Sequence, residues 1–203
     1  EKMTYEVAAT IPTGGINGLH FVRMSKIKVG EKVLINGAGG SIGTFGVQLA
    51  KVYGANVTAV DSSDKLDMLR TIGADHVIDY TQTDFSSNGE KYDVIFDMVY
   101  KTDFSRCVNS LKEDGCYLIA NPGPIRMLRA LWVSWTTRKK VIFEFAAERA
   151  EDLDHMAQLM ASGTVRAVID RRYPIDQIQK AHEYVERGKK KGNVIIVVAG
   201  DHR

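Results

Sequence analysis

Short apolar runs recur along the chain at fairly even intervals, at residues 33–35, 57–60, 76–78, 94–96, 117–119 and 141–143. The segments between most of them have apolar residues spaced by three and four, as on the faces Ile42, Phe45, Leu49, Val52 and Leu66, Leu69, Ile72. Glycines at 54 and 73 follow two of these segments and predict helix ends. Strands alternating with helices of this length predict an α/β fold, a doubly wound parallel sheet with right-handed crossovers.

The two ends of the chain depart from this alternation. Residues 4–29 predict one or two helices interrupted by Pro-Thr-Gly-Gly at 12–15. Residues 148–162 and 175–188 predict two more helices, with an extended segment at 165–173 and a final strand at 194–198. We interpret these flanks as helices and a C-terminal strand from an incomplete second domain.

Composition narrows the possible partners. The chain has 203 residues, 44% of them apolar, and a formal net charge of +2, which is typical of a soluble globular protein and favours neither nucleic acid nor a membrane. The basic clusters at 138–140 and 189–191 are short and predict solvated turns. Cys107 and Cys116 lie in no CxxC or Cys/His cluster, which favours reduced thiols and a cytoplasmic location.

A glycine-rich loop follows the first strand in "LINGAGGSIGTFGVQLAK", residues 34–51. Gly37, Gly40 and Gly43 have the spacing GxxGxxG, and we count Ser41 and Ile42 with them as candidate binding residues. The amides at a helix N-terminus attract phosphate, and glycine lets the backbone approach it. The alternative is an ordinary tight turn, but the order strand, loop, helix favours dinucleotide binding.

The second strand ends at Asp61, eighteen residues after Gly43. A carboxylate there can accept both ribose hydroxyls of NAD but repels the 2′-phosphate of NADP, by roughly 4 kcal/mol at ~4 Å and an effective dielectric of ~20. Lys65, with Ser62 and Ser63, could offset that repulsion, or Lys65 could simply pair with an acidic neighbour.

Other strand ends should line the same crevice, because ligands of such sheets bind at the carboxyl edge. The candidates are Tyr80 on the adenosine side, residues 97–99, and Asn121 and Gly123 near the nicotinamide. For each of them a structural role in a turn is equally compatible with the sequence.

These motifs together resemble the medium-chain dehydrogenase/reductase superfamily in its quinone-oxidoreductase-like branch. The resemblance rests on the glycine loop, "GADHVIDYT", "YDVIFDMV" and the ending "VIDRRYPIDQIQKAHEYVERGKKKGNVIIVV", and extends over nearly the whole chain. In relatives that use NADPH, a lysine and a tyrosine placed like Lys65 and Tyr80 contact the 2′-phosphate. Lys65 and Tyr80 thus favour NADP, whereas Asp61 favours NAD. The expected cofactor is therefore NAD(P), without a choice between the two.

The resemblance also implies a domain organisation. Family members carry a chaperonin-10-like β domain ahead of this segment, so the chain is expected to be a fragment. Residues 1–28 would be linking helices from that domain, 29–163 the Rossmann dinucleotide-binding domain, and 164–203 the segment that returns to complete the first domain.

No zinc is expected. Zinc-type alcohol dehydrogenases place a ligand cysteine just before the linking helices, and the matching stretch at 11–15 has no Cys, His or acidic residue. The five histidines, at 20, 76, 155, 182 and 202, have no metal-ligand spacing. This favours a reductase over an enzyme that oxidises alcohols.

The expected chemistry is hydride transfer from NAD(P)H to a quinone or an α,β-unsaturated carbonyl compound, with no catalytic residue identifiable in this chain. The alternatives are a zinc-type alcohol dehydrogenase relative and a non-catalytic NAD(P)-binding sensor or structural module.

A homodimer is expected through an apolar edge strand at 141–146, because an uncovered edge pairs readily with a copy of itself. The preceding stretch, "IRMLRALWVSW", carries Leu128, Leu131, Trp132 and Trp135. It predicts an amphipathic helix that covers this strand, roofs the cleft or faces the core.

Overall fold

The computed structural model describes residues 3–120, 122–143 and 149–198. Six parallel strands form one sheet: β1 Lys32–Asn36, β2 Asn56–Asp61, β3 His76–Asp79, β4 Tyr92–Asp97, β5 Leu111–Ile119 and β6 Lys140–Ile142. Their order across the sheet is β3-β2-β1-β4-β5-β6. This is the order of the classic dinucleotide-binding fold, which confirms the predicted doubly wound parallel sheet.

Eight α-helices accompany these strands in the described ranges: α1 Tyr5–Ala8, α2 Ile16–Ser25, α3 Ser41–Val52, α4 Leu66–Thr71, α5 Phe104–Asn109, α6 Pro124–Thr136, α7 Ala150–Ala161 and α8 Ile178–Glu186. Helices α3 and α4 end next to Gly54 and Gly73, both in the left-handed region, as predicted.

The sheet is buried on both faces because helices pack on each side of it. On one face, Leu49 of α3 and Met156 of α7 pack in a core that includes Ile35 of β1. On the other face, Phe104 of α5 and Val133 of α6 pack in a second core. Strands covered on both sides need nearly continuous apolar sequence, which explains the uninterrupted runs along the chain.

The N-terminal helices differ from the prediction at residues 12–15. Instead of interrupting a helix, these residues belong to a π-helical turn, Ile11–Gly15, which runs directly into α2. Glycine suits this position because a Cβ on Gly14 would lie 3.0 Å from the Phe45 ring of α3. The two glycines therefore allow close helix packing rather than a break.

The C-terminal segment forms a small sheet of its own. Strands β7 Ile169–Pro174 and β8 Asn193–Val197 pair in parallel, with α8 between them in the chain. The final strand predicted at 194–198 is confirmed as β8, whereas the return of this segment to a second domain and the boundaries at 28 and 163 stay predictions. None of the helices in the described parts of the chain is long and apolar enough to span a bilayer.

Strand β6 lies at the edge of the large sheet, as predicted, but it is shorter than residues 141–146, and residues 144–146 lie outside the described ranges. One face of the strand is covered, since Val141 is buried and Phe143 packs against the same core, and pairing of its free edge with a second copy stays a prediction. Helix α6 contributes Ala130 and Val133 to that core and leaves Leu128, Leu131, Trp132 and Trp135 exposed.

Candidate cofactor-binding site

A cleft of about 720 Å³ opens at the carboxyl ends of the strands, next to the point where the strand order reverses between β1 and β4. Its size and position match a ligand site of a doubly wound sheet. Of the predicted residues, those that line it are Gly37, Gly40, Asp61, Lys65, Tyr80, Met98 and Val99. Further lining residues are Asn36, Thr83, Asp84, Phe85, Ser86, Lys101, Thr102, Asp103, Arg106, Val185, Gly188 and Lys190.

The three spaced glycines have different structural roles. Gly37 has a φ of +81°, a conformation that other residues rarely adopt, and Gly43 lies so close to the loop that a Cβ would be 2.5 Å from the Gly37 carbonyl oxygen. Gly40 has an ordinary backbone conformation, and the nearest atom to its hypothetical Cβ is 3.5 Å away. Glycine at positions 37 and 43 is therefore needed for the fold. Glycine at position 40 is not, and its missing side chain only leaves more space in the cleft.

The N-terminus of α3 faces this loop. Gly40 is its N-cap, and no side chain caps its first turn. The amides of Ser41 and Ile42 therefore have no acceptor within the helix and are suited to an anion. The Ser41 hydroxyl donates to the carbonyl oxygen of Gly192 at 3.0 Å, and Ile42 packs against the core.

Asp61 faces the glycine loop. Its Oδ2 accepts the Gly39 amide at 2.7 Å, and its Oδ1 accepts the Ser62 amide at 2.9 Å and lies 3.0 Å from Lys65 Nζ. Both charged side chains are buried, with 7% and 8% of their surfaces exposed. Of the two alternatives for Lys65, the structure forms the ion pair with Asp61, in the interior. The carboxylate is thus neutralised and fully hydrogen-bonded.

The adenosine side of the cleft is more open. Tyr80 is exposed. The Ser62 hydroxyl donates to Asp64 at 2.6 Å, and this hydrogen bond lowers the pKa of the Asp64 carboxyl. Ser62 is therefore engaged with a neighbour instead of pointing freely at a ligand. Its predicted help to Lys65 has no support from this geometry.

The two candidates on the nicotinamide side are less informative. Asn121 lies outside the described residues. Gly123 is the N-cap of α6 and is not among the residues that line the cleft.

A buried carboxylate lies beneath the cleft at the end of β4. Asp97 Oδ1 accepts hydrogen bonds from Asn36 Nδ2 at 2.9 Å, the Val99 amide at 3.1 Å and the Thr102 hydroxyl at 2.9 Å. Its Oδ2 accepts the Tyr117 hydroxyl at 2.7 Å. Asp97 was predicted to line the cleft, but its side chain is buried below the cleft surface. It holds the loop that carries Val99, and the Val99 side chain lines the cleft.

Sequence reasoning missed five charged residues of the cleft, Asp84, Lys101, Asp103, Arg106 and Lys190, of which Lys190 contacts the start of α3. Lys190 belongs to the basic cluster that was predicted to be a solvated turn, and that prediction is wrong for this lysine. Its Nζ donates to Ser41 Oγ at 2.7 Å and to the carbonyl oxygen of Gly192 at 2.8 Å. Burial lowers the pKa of Lys190, and the nearby charge of Lys65 lowers it further. The glycines at 188 and 192 were the available signal, since they mark a tight turn.

Comparison with known proteins places this site in a family. Residues 72–196 match the sequence profile of the zinc-binding dehydrogenase family. A trans-enoyl reductase from Aspergillus terreus is 32% identical over 189 residues, which cover 85% of this chain and 53% of the relative. A mitochondrial NAD(P)H oxidoreductase from Mus musculus is 30% identical over 98% of this chain and 57% of the relative.

Among solved structures, a quinone oxidoreductase from Coxiella burnetii superposes with a TM-score of 0.88 at 26% identity, covering 98% of this chain and 62% of that one. The chain spans about half the length of the curated relatives described above. The family match covers more than half of the chain, and it agrees with the strand order and the glycine loop. The chain therefore belongs to the zinc-binding dehydrogenase family of the medium-chain dehydrogenase/reductase superfamily and is quinone-oxidoreductase-like.

Proposed function

We propose that this chain is the cofactor-binding part of an NAD(P)H-dependent oxidoreductase that reduces a quinone or an α,β-unsaturated carbonyl compound. The observation that carries the proposal is Gly40, whose missing side chain leaves the cleft open in front of the uncapped N-terminus of α3. The names of the relatives, an enoyl reductase, an NAD(P)H oxidoreductase and a quinone oxidoreductase, support the reaction class.

The residues of the cleft fit a dinucleotide. In the proposal, Gly37, Gly40 and the amides of Ser41 and Ile42 hold the diphosphate, and Gly43 brings α3 close enough to do so. Asp61, Ser62, Lys65 and Tyr80 form the adenosine side, and Asn121 and Gly123 are assigned to the nicotinamide side. The reduced nicotinamide supplies the hydride when it is bound. This chain binds and orients the cofactor, and we assign no proton donor to it.

The choice between NAD and NADP depends on the Asp61–Lys65 pair. Because Lys65 neutralises Asp61, the carboxylate no longer presents a free negative charge to a 2′-phosphate. Its two oxygens already accept backbone amides, which leaves fewer lone pairs for ribose hydroxyls. Both features support NADPH over NADH.

We propose no zinc site in this chain. Among the described residues, no three His, Cys, Asp or Glu side chains lie close enough to share a metal ion. The stretch at 11–15, where related enzymes place a ligand, is Ile-Pro-Thr-Gly-Gly and carries no Cys, His or acidic side chain. The expected absence of zinc and the cytoplasmic location stay predictions.

The test uses the full-length protein. Its consumption of NADPH with a quinone or an enone is followed by absorbance, beside a binding titration of NADPH and NADH. Turnover supports the enzyme. Tight binding without turnover on either acceptor class would contradict it and favour the alternative, a sensor or structural module.

The protein is also proposed to form a homodimer through the edge of β6. Helix α6 packs beside this strand and leaves Leu131, Trp132 and Trp135 exposed, which extends the apolar surface next to the edge. Light scattering of Trp135→Glu tests this, with Tyr5→Glu, an exposed aromatic on α1, as the control. A dimeric mass that Trp135→Glu leaves unchanged would count against this interface.

A further inference from the structure

The turn between α8 and β8 docks onto the glycine loop through backbone atoms. The Gly192 amide donates to the Gly39 carbonyl oxygen at 2.8 Å, and the Ser41 hydroxyl donates to the Gly192 carbonyl oxygen at 3.0 Å. Lys65 Nζ donates to the carbonyl oxygen of Gly188 at 3.2 Å. The C-terminal segment therefore forms one wall of the cleft.

Lys190 lies in this turn with its ammonium group at the N-terminus of α3. The amino end of a helix carries a partial positive charge, which makes it an unfavourable place for a cation. The polar contacts of Lys190 Nζ in the described structure are to Ser41 Oγ and the Gly192 carbonyl oxygen, and both are uncharged. The position therefore costs stability as long as no anion is bound.

The charged groups around Lys190 do not neutralise its positive charge. Asp61 is paired with Lys65. Asp170 of β7 accepts the Tyr184 hydroxyl at 2.6 Å and the Lys191 amide at 3.0 Å, and it forms no ion pair among the described residues. Lys65 itself repels Lys190. Asp61 and Asp170 attract Lys190 from a distance, but no carboxylate of the described chain lies within 4.0 Å of its ammonium group.

We infer that Lys190 binds the diphosphate of the cofactor, as a positively charged partner that the C-terminal segment adds to the amides of α3. This inference rests on the proposed function. The contact with Ser41, the first residue of α3, points to the diphosphate, because the 2′-phosphate belongs to the end of β2 near Lys65 and Tyr80. Lys190 should therefore support NADH and NADPH equally.

A proton linkage follows from the surroundings of Lys190. Its pKa is lowered from the ordinary 10.5 in the free protein, mainly by burial. A bound diphosphate stabilises the charged form and raises this pKa. Cofactor binding should then take up protons between the lowered pKa and the raised one, and affinity should fall as the pH rises through that range.

The binding test compares four versions of the full-length protein: the parent, Lys190→Gln, Lys190→Arg and Lys189→Gln. Lys189 is an exposed lysine of the same turn, so its variant is the control for lost charge. Lys190→Gln should weaken NADH and NADPH by the same factor, about 10- to 100-fold, as for a hydrogen bond to a charged group. Lys189→Gln should stay within about twofold of the parent, since exposed charges contribute little.

The second measurement is the pH dependence of binding, with thermal unfolding of the cofactor-free proteins as a control for folding. The arginine of Lys190→Arg stays charged over the whole pH range. This variant should therefore keep its affinity for the cofactor, and that affinity should no longer fall as the pH rises. Lys190→Gln should unfold at no lower temperature than the parent, because it removes a poorly compensated charge.

The outcomes separate the two ideas. Tight binding of both cofactors by Lys190→Gln, as in Lys189→Gln, would overturn the assignment of Lys190 and leave the proposed function intact. Weakened binding of NADPH alone would overturn the assignment to the diphosphate. A parent protein that binds neither cofactor would overturn the proposed function and the inference with it.

Discussion

The Tyr117 hydroxyl donates a 2.7 Å hydrogen bond to Asp97 Oδ2 in the interior of the sheet, where both side chains are buried. Burial raises the pKa of Tyr117, and the negative charge of Asp97 raises it further. The tyrosine therefore stays protonated and acts as a permanent donor. Together with three further donors, it stabilises a buried carboxylate that forms no ion pair within residues 3–120, 122–143 and 149–198, and this carboxylate holds the loop that carries Val99.

Tyr117→Phe removes one of these four donors. It should lower the free energy of unfolding by about 1–3 kcal/mol, because a buried acceptor loses its partner. Denaturant unfolding measures the change. Tyr92→Phe is the control, since the Tyr92 hydroxyl has only a 3.3 Å contact with Asn88. An equal loss in both variants would show that the Asp97 network has no special role.

Two glycines of the loop should affect different properties: Gly43 the stability of the fold and Gly40 the binding of the dinucleotide. Gly43→Ala places a methyl group against backbone atoms at 2.5–2.6 Å and should destabilise the fold by about 1–3 kcal/mol. Gly40→Ala should change stability by about 1 kcal/mol or less. It should nevertheless weaken dinucleotide binding by at least about tenfold, which is 1.4 kcal/mol. Thermal unfolding and a binding titration check both, and full affinity in Gly40→Ala would contradict the proposed role of this loop.

The buried Asp61–Lys65 pair predicts strong coupling between two residues. Lys65→Ala leaves the Asp61 carboxylate buried without its cation and should lower the free energy of unfolding by about 3–5 kcal/mol. The double variant Asp61→Asn, Lys65→Met should lose less than the sum of its single changes. A double-mutant cycle by denaturant unfolding gives this coupling, and simple additivity would mean that the pair is not formed in solution.

The two cysteines should be unreactive in the folded protein. Burial raises the pKa of the Cys107 thiol to about 12 and that of Cys116 to about 11. At a pH of about 8 almost no thiolate is present, and the thiolate is the reactive form. Alkylation followed by mass spectrometry should label neither thiol in the native protein and both after unfolding. Rapid labelling of native Cys107 would be inconsistent with the buried position.

Much of the fold could be predicted because each strand of the large sheet contains a short apolar run and two of the helices are followed by glycine. All six strands of the large sheet lie at the predicted runs, and β5 begins earlier than expected. Its first residues include Lys112, Glu113 and Asp114, which are exposed and polar, so no apolar pattern indicates them. The π-helical turn at Ile11–Gly15 was missed because its glycines are close to side chains of helices distant in the chain, Gly14 to Phe45 of α3 and Gly15 to Met156 of α7.

The site was less predictable because its charges are arranged by contacts between distant parts of the chain. The sequence located Asp61 and Lys65 but could not orient the Asp61 carboxylate, which depends on the Gly39 amide. Lys190 looked like one of three equivalent surface lysines. Only the docking of its turn on Ser41, 149 positions away in the chain, distinguishes it from its neighbours.

Two hydrogen bonds that join the C-terminal turn to the glycine loop use only main-chain atoms of Gly192: its amide donates to the Gly39 carbonyl oxygen, and its carbonyl oxygen accepts the Ser41 hydroxyl. These two hydrogen bonds do not depend on which side chains occupy residues 189–191. Mutation at residues 189–191 can therefore alter the charge beside the ligand while the wall itself keeps its shape. Substitutions in this turn can therefore change the electrostatic potential at the entrance of the cleft without changing the backbone that forms it.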